Sequence, residues 1–429
     1  MSSPAPLGVG LIGAGTVGAE VARQLLAKRE EYCGRTGVDL LLRRVAVRDG
    51  TRERPGVDRS LITTDVDRVL EDDAIGVVIE LAGGEEPART FIERAVRAGK
   101  HVVTANKVVM ARHGSSLLPL AGDRGVDIAF EAAVGAGIPL VGTFKVDLRS
   151  NRLERVTAII NGTTNYMLSA MAAEGLTFAE ALTRAQQEGF AEADPTEDVE
   201  GADAASKLAI MGSIAFGARL RPEDVACEGI TAVQPVDFRY AQELGYTIKL
   251  VGRTSRTPAG IEAWVHPCMV PLTHPLAQVE GVQNAVFIEG DLVGQVALQG
   301  PGAGARPTTS AVIADLLDLA RRIRTGAVDR QAFKFEDQPV VPMDALAARA
   351  YLRCTVADRP GVLAVIFSVF GEEGVSISSA IQKEAFAADA AAEFVVTTHP
   401  APDAALQRTR ARIAELAPMH ELSSFLRVL

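Results

Sequence analysis

The stretch "LGVGLIGAGTVGAEVARQLLAKR", residues 7–29, decides how the chain begins to fold. A short apolar run passes through Gly13-Ala14-Gly15-Thr16-Val17-Gly18 and continues with helical spacing at Val17, Val21 and Leu25, so it reads as strand, glycine turn, helix. Gly13 permits the tight turn, Gly15 lets the backbone approach a pyrophosphate, and Gly18 lets the helix lie close on the strand. The helix N-terminus, at Thr16 and Val17, then faces the phosphates. A lone GxGxxG says little, but this one sits between a strand and a helix and near the start of the sequence. It predicts a dinucleotide-binding βα unit.

Working outward, "LLRRVAVRD" (41–49) is the second strand and ends with Arg48, where an NAD-specific site usually has an acid for the ribose hydroxyls. Arg48, with Arg52 and Arg54 nearby, suits a 2′-phosphate, while Asp49 one residue later keeps NAD open. The strands "AIGVVIELAGG" (74–84) and "HVVTANK" (101–107) flank the amphipathic "EPARTFIERAVRAGK" (86–100). Lys107 therefore falls just after the C-terminal end of a parallel strand, where open α/β sheets bind ligands; a lysine capping a strand end is the plainer reading.

After residue 130 the pattern changes. "EAAVGAGIPLV" (131–141) is a glycine-rich elbow, and "LERVTAIINGTTNYMLSAM" (153–171) is a strand feeding a helix through Gly162-Thr163-Thr164, a helix N-terminus suited to an anion or simply an ordinary Thr cap. Next comes "ADPTEDVEGADAASKLAIMGSIAFG" (193–217), in which Asp194, Glu197, Asp198, Glu200 and Asp203 precede the single base Lys207. On a helix starting near Gly201, Asp203 and Lys207 share one face with Ile210 and Ile214. The ordinary reading is a solvated i,i+4 pair. "YTIKLVGRTS", "GIEAWVHPCMV", "NAVFIEG" and "DLVGQVALQG" alternate or turn at glycines, which predicts an antiparallel sheet across which a dimer can form.

The 429 residues are 48% hydrophobic and 23% charged, with a formal charge of −10 and no basic run. That composition fits two or three globular domains and argues against a nucleic-acid groove or an anionic membrane surface. Cys33, Cys227, Cys268 and Cys354 are scattered without CxxC spacing, so no disulfide framework or zinc site is expected and a reducing cytoplasm is the simplest compartment. No segment has the charged n-region of an export signal or the length of a membrane span.

Taken in order, "GLIGAGTVG", "TANK", "EAAVGAGIP", "INGTTNY", "EGFAEADPTEDVEGADAASKLAI" and "GPGAGARPTTSAVIADL" make the chain resemble homoserine dehydrogenase, of the bacterial type with a C-terminal ACT domain. The resemblance implies reversible NAD(P)-dependent conversion of L-aspartate 4-semialdehyde to L-homoserine, on the route to threonine and methionine. It implies an α/β fold in three parts: a Rossmann domain (1–130 plus about 305–335), an α+β substrate and dimerisation domain with a mostly antiparallel sheet (131–304), and a ferredoxin-like ACT domain (347–429). By position, Lys107 and Lys207 match the two active-site lysines, Lys207 being the one assigned proton transfer. Glu192 and Asp203 match the carboxylates that hold the substrate ammonium, with Asp198 of the same loop placed beside them; Gly162 and Thr163 match the site of its carboxylate. Gly13, Gly15, Thr16, Val17, Gly18, Arg48, Lys107, Gly189, Gly302 and Gly304 are the cofactor positions, with NADP expected and NAD possible. Glu131 and the main-chain oxygens of Val134, Ala136 and Ile138 resemble a monovalent cation site, usually sodium, for which hard oxygen ligands are suited. A homodimer or homotetramer is implied.

The last module follows "RTGAVDRQAFKFEDQPVVPMD" (324–344), a polar, proline-containing stretch that reads as a linker between separable cores. "RAYLRCTVAD" places Leu352, Cys354 and Val356 on one strand face, "RPGVLAVIFSVFGEEG" is a helix, and the remaining segments complete β-α-β-β-α-β. "DRPGVLAVIFSVF" resembles the ACT signature, with Asp358, Gly361 and Leu363 at the expected regulatory site and threonine the implied effector; a module used only for assembly would look the same. Two other functions are weighed. Aspartate-semialdehyde dehydrogenase needs a reactive thiol, and neither "KREEYCGRTG" nor "EDVACEG" lies at a strand-end site. A non-catalytic nucleotide sensor would not need the two lysines and the acidic loop, and homoserine-dependent reduction of NADP discriminates it.

Overall fold

The structure, a computed structural model, describes residues 6–327, 334–382 and 391–429. The chain divides into two compact units, one of residues 1–154, 209–222 and 289–338, the other of residues 155–208, 223–288 and 339–429.

In the first unit the elements are β1 (Pro6–Ile12), α1 (Thr16–Ala27), β2 (Asp39–Ala46), β3 (Ile62–Thr63), β4 (Val77–Glu80), α2 (Ala88–Arg97), β5 (His101–Thr104), α3 (Lys107–Asp123) and β6 (Ile128–Ala129). The strands form one parallel sheet in the order β3-β2-β1-β4-β5-β6, the doubly wound Rossmann order. A sheet buried on both faces requires continuous apolar runs, and Val9, Leu11, Val45, Val77, Ile79 and Val103 are fully buried. Each such side chain contributes about 1.5–3 kcal/mol. Val21 and Leu25 of α1 join this core, as do Val312, Leu316 and Leu319 of the later helix Ala305–Thr325.

The second unit begins in β7 (Leu153–Ile159) and holds α4 (Gly162–Glu174), α5 (Phe178–Gln187), the start of α6 (Ala202–Phe216), α7 (Pro235–Glu243), β8 (Tyr246–Thr257), β9 (Gly260–Pro271) and most of β10 (Gln283–Gly290). It continues with β11 (Ala347–Ala357), α8 (Val362–Glu372), β12 (Ile377–Gln382), β13 (Ala391–Thr398), α9 (Asp403–Ala414) and β14 (Met419–Val428). β8 and β9 form the expected antiparallel hairpin, paired from Thr257↔Gly260 to Tyr246↔Pro271. The C-terminal segments are the expected β-α-β-β-α-β, with Leu352, Cys354 and Val356 buried against Ile366, Phe370 and Phe394.

The separable module expected from the polar linker is corrected here. Strand order in this unit runs β10-β7-β8-β9-β14-β11-β13-β12, so the ACT strands and the substrate-domain strands are one sheet, joined where Cys268 and Met269 of β9 pair in parallel with Arg427 and Val428 of β14. Met343, Leu346 and Leu429 lie against the Trp264, Cys268 and Val270 cluster. Residues 328–333 of the linker lie outside the described residues, but its later part is fixed by main-chain bonds: Ile261 N–H donates to Pro339 O at 2.9 Å and Val341 N–H to Ile261 O at 2.8 Å. Polar composition cannot reveal that, because backbone groups bond regardless of side chain.

A buried ionic network also ties α7 to the ACT strands. The Arg353 guanidinium donates to Asp237 at 2.7 Å, to Gln234 at 2.7 Å and to Glu393 at 3.2 Å, and the Tyr351 hydroxyl donates to Asp237 at 3.1 Å. Arg353 is 3% exposed and Asp237 0%. Arg427 of β14 bridges in the same way to Asp403 at 3.0 Å and to Glu228 at 2.8 Å. Among the described residues no helix is long and apolar enough to cross a membrane.

Candidate active site

At the glycine turn, Gly13 has φ +90° and a Cβ there would lie 2.4 Å from Leu81 O; at Gly18 it would lie 2.0 Å from Gly13 O. Both must be glycine. Nothing lies within 4 Å of a Cβ at Gly15, and α1 starts at Thr16 with no side-chain cap, so its first N–H groups remain available for an anion. These residues fit the pyrophosphate of a dinucleotide. The Arg54 guanidinium is fastened to this loop, donating to Ala14 O at 3.2 Å, Arg52 O at 2.7 Å and Asp49 O at 3.1 Å. Arg48 and Asp49 are exposed at the end of β2, and hydrogen bonds from the Thr51 hydroxyl and N–H hold the Asp49 carboxyl below its usual range. In the sequence Arg54 stands out only as a neighbour of Arg48; its bond to Ala14, 40 residues away, carries no local signal.

Lys107 is the first residue of α3, two residues beyond the end of the β5-loop pair Thr104-Ala105, and is partly buried. The Asn106 side chain caps the helix by accepting from Val109 N–H at 3.1 Å and donates to Gly84 O at 2.7 Å. The Thr104 hydroxyl donates to Glu80 at 2.7 Å, and Glu80, fully buried at the end of β4, also accepts from Ala82 N–H at 2.7 Å. Burial pushes the Glu80 carboxyl up. This network, absent from the sequence reading, fixes the turn that carries Lys107.

In the second unit the acidic loop and the helix N-terminus at Gly162 come together. Lys207 Nζ donates to Asp203 at 2.8 Å and to Ile160 O at 3.0 Å. The side chains are 11% and 5% exposed, so the solvated-pair reading does not hold. Asp203 and Asp198 both accept from the Asn161 amide, at 2.8 and 2.6 Å, and Asn161 caps α4 through Thr164 N–H at 2.8 Å. Thr163 donates to Phe190 O at 2.7 Å, which fastens α4 to the loop holding Gly189 and Glu192. Glu192 is exposed on that loop, its main-chain oxygen accepting from Gln186, and its carboxylate is not drawn into the Lys207 cluster. The arrangement can hold an ammonium group and move a proton.

A family profile described as homoserine dehydrogenase matches residues 139–317, one described as its NAD-binding domain matches 13–131, and the ACT domain profile matches 350–417. The chain is 41% identical over 434 residues to the homoserine dehydrogenase of Synechocystis sp., covering 98% of this chain and 99% of that one. It is 42% identical to that of Mycobacterium tuberculosis, with 99% and 98% covered. A crystal structure of a homoserine dehydrogenase from Thiobacillus denitrificans is similar with a TM-score of 0.93 and 39% identity, covering 99% of this chain and 98% of that one. The chain belongs to the homoserine dehydrogenase family. It is accordingly an NAD(P)-dependent oxidoreductase acting on a CH–OH group. A hyperthermophilic archaeal homoserine dehydrogenase described in complex with NADPH shares the fold over 73% of this chain, with a TM-score of 0.63 and 28% identity.

The remaining family positions lie as follows. Glu131 accepts from the N–H groups of Leu140, Val141 and Gly142 at 2.6–2.8 Å, and the loop of Val134, Ala136 and Ile138 follows it. Ala136 has φ +33°, a strained value for a residue with a Cβ, of order 1–3 kcal/mol. Among the described residues no group of three or more His, Cys, Asp or Glu is placed to hold a metal, so a cation at this elbow would depend on main-chain oxygens, and those suit sodium. Gly302 is buried and Gly304 precedes the helix Ala305–Thr325, while Gly189 follows α5. Asp358, Gly361 and Leu363 line one cavity of about 510 Å³ with Gln382, at the start of α8. The thiols of Cys268 and Cys354 are buried, which pushes each up to about 12, and Cys227 donates to Glu200 O; none of these is an activated nucleophile.

Proposed function

We propose that the chain interconverts L-homoserine and L-aspartate 4-semialdehyde, with Lys207 transferring the proton and Asp203, Asp198 and Glu192 receiving the ammonium of the amino acid. The observation that carries this is the Lys207–Asp203 pair at 2.8 Å, nearly removed from solvent beside Ile160 O. Two N–H bonds of Lys207 fix the ammonium, leaving one for the substrate oxygen. The Gly13–Gly18 turn would hold the dinucleotide, whose nicotinamide would supply hydride chemistry at the alcohol or aldehyde carbon. In reduction Lys207 stabilises the negative charge that develops on oxygen and gives it a proton; in oxidation it must start neutral and accept the hydroxyl proton. Lys107, at the family's position for a second active-site lysine, is the other lysine on which turnover depends, and Gly162 and Thr163 receive the substrate carboxylate at the N-terminus of α4.

Arg54 over the glycine loop, with Arg48 beyond β2, supports a preference for the 2′-phosphate of NADP. A sodium ion at Glu131, Val134, Ala136 and Ile138, threonine in the Asp358–Leu363 cavity, and a homodimer or homotetramer belong to the same reading. The four free cysteines support a reducing, cytoplasmic setting. The test is homoserine-dependent reduction of NADP and NAD by the wild type, Lys107→Ala and Lys207→Ala. Wild-type turnover should favour NADP, and each variant should lose about 10²–10⁴-fold in kcat with little change in cofactor KM. Near-normal turnover in both variants would remove the mechanism.

A further inference from the structure

Asn161 is 4% exposed and uses all four of its hydrogen-bonding positions. Its Oδ1 accepts from Thr164 N–H at 2.8 Å and from the Thr164 hydroxyl at 2.9 Å. A main-chain N–H can only donate, so this bond fixes which way round the amide sits. Nδ2 must then face the other way, where it donates to Asp198 Oδ1 at 2.6 Å and Asp203 Oδ2 at 2.8 Å, two groups that can only accept when ionised. Asp203 Oδ2 is also the atom that receives Lys207 Nζ at 2.8 Å, and the second bond of Lys207 goes to the carbonyl of Ile160, the residue next to Asn161. One short turn of chain therefore holds two carboxylates of like charge side by side and sets the ammonium from both directions.

We infer that Asn161 is the positioning residue of this site: its amide fixes the Asp198 and Asp203 carboxylates, Asp203 in the orientation from which it holds Lys207 and both in the orientation from which they receive the substrate ammonium. The inference rests on the reading of Lys207 and Asp203 given above. Being buried behind the carboxylates, Asn161 acts through them. A second role, capping α4, must be separated from this one, and substitution can do so. Serine is as good an N-cap as asparagine but has no amide to donate to Asp198 and Asp203. Aspartate has the same shape and also caps, but places a third negative charge against the other two until it takes up a proton, after which it can donate one hydrogen bond.

The experiment compares full-length wild type, Asn161→Ser and Asn161→Asp by melting temperature, by KM for cofactor and for homoserine, and by kcat across pH. Both variants are expected to melt within a few degrees of wild type and to bind cofactor normally. Asn161→Ser should raise the homoserine KM and lower kcat, together by about 10²-fold, the scale of loss for a misplaced catalytic group. Asn161→Asp should lose at least as much at high pH and recover relative to wild type as pH falls. Homoserine kinetics unchanged in both variants, a loss that follows cofactor KM and melting temperature together, or a collapse of the fold in both would each overturn the inference. A wild type without homoserine turnover would overturn the parent reading first. Normal wild-type turnover with unaffected variants would overturn this inference alone.

Discussion

Lys249 of β8 is 3% exposed, and its ammonium donates to Val279 O at 2.6 Å and more weakly to Asn165 and Ser169, all neutral acceptors. Burial pulls its pKa from 10.5 down to about 8. Below about pH 8 folded and unfolded chains both carry the proton, and the fold bears the full cost of the buried charge. Between about 8 and 10.5 the unfolded chain binds more protons, so stability should rise with pH through that window and level off above it. Thermal melts from pH 7 to 10 should show this rise, of a few kcal/mol at most, and Lys249→Met should flatten it. An unchanged slope in the variant would assign the rise to other groups. Lysine in a strand with apolar neighbours was not conspicuous in the sequence. Its setting depends on Val279 and Asn165, respectively 30 and 84 residues away.

At the scale of elements, the helix and strand patterns that depend on neighbours in sequence were legible: the glycine turn, the β8–β9 hairpin, the Asp203–Lys207 spacing and the ACT order of strands and helices. What holds the acidic loop was not. Gly229 lies so close to it that a Cβ there would be 2.3 Å from Val199 O and 2.6 Å from Glu200 Cα. Ile230 N–H donates to Val199 O at 2.8 Å, and Glu228 N–H to Val265 O at 2.8 Å, so the strap is itself held by β9. Gly229→Ala must displace the segment at Val199 and Glu200, which lies between Asp198 and Asp203 in the chain. It should raise the homoserine KM by about tenfold or more while leaving cofactor KM unchanged, because small displacements at a reacting centre are costly and the glycine turn of α1 is in the other unit. Equal changes in both constants would show a general loss of fold instead. A glycine between Glu228 and Ile230 in sequence looks like any turn; only the approach of residue 199 makes it necessary.

For the whole molecule, the shared sheet changes what deletion can be expected to do. Removing residues 347–429 uncovers the edge of β9 and takes away Tyr351 and Arg353, which hold Asp237 at α7, so the remaining sheet loses both its neighbouring strand and the network that ties it to the ACT strands. The truncated chain should lack a cooperative melt. A soluble, active truncation would show that the ACT strands are dispensable to the sheet. Regulation has to be probed in the full chain, where Asp358→Ala should weaken inhibition by threonine about tenfold or more if the α8 cavity binds it; unchanged inhibition would place threonine elsewhere. Domain identities could be read from motifs along the chain, but their union could not, since Arg353 and Asp237 are 116 residues apart. The same sheet also imposes an order of events during synthesis. β14 enters between β9 and β11, and both of those strands leave the ribosome before it. Along its length β9 pairs with Ala226 and Cys227 at Trp264 and Val265, but its stretch at Cys268 and Met269 waits for Arg427 and Val428. At about 5–20 residues per second the nascent chain carries that open strand edge for roughly 8–30 seconds, exposed to chaperones and to neighbouring nascent chains on the same message.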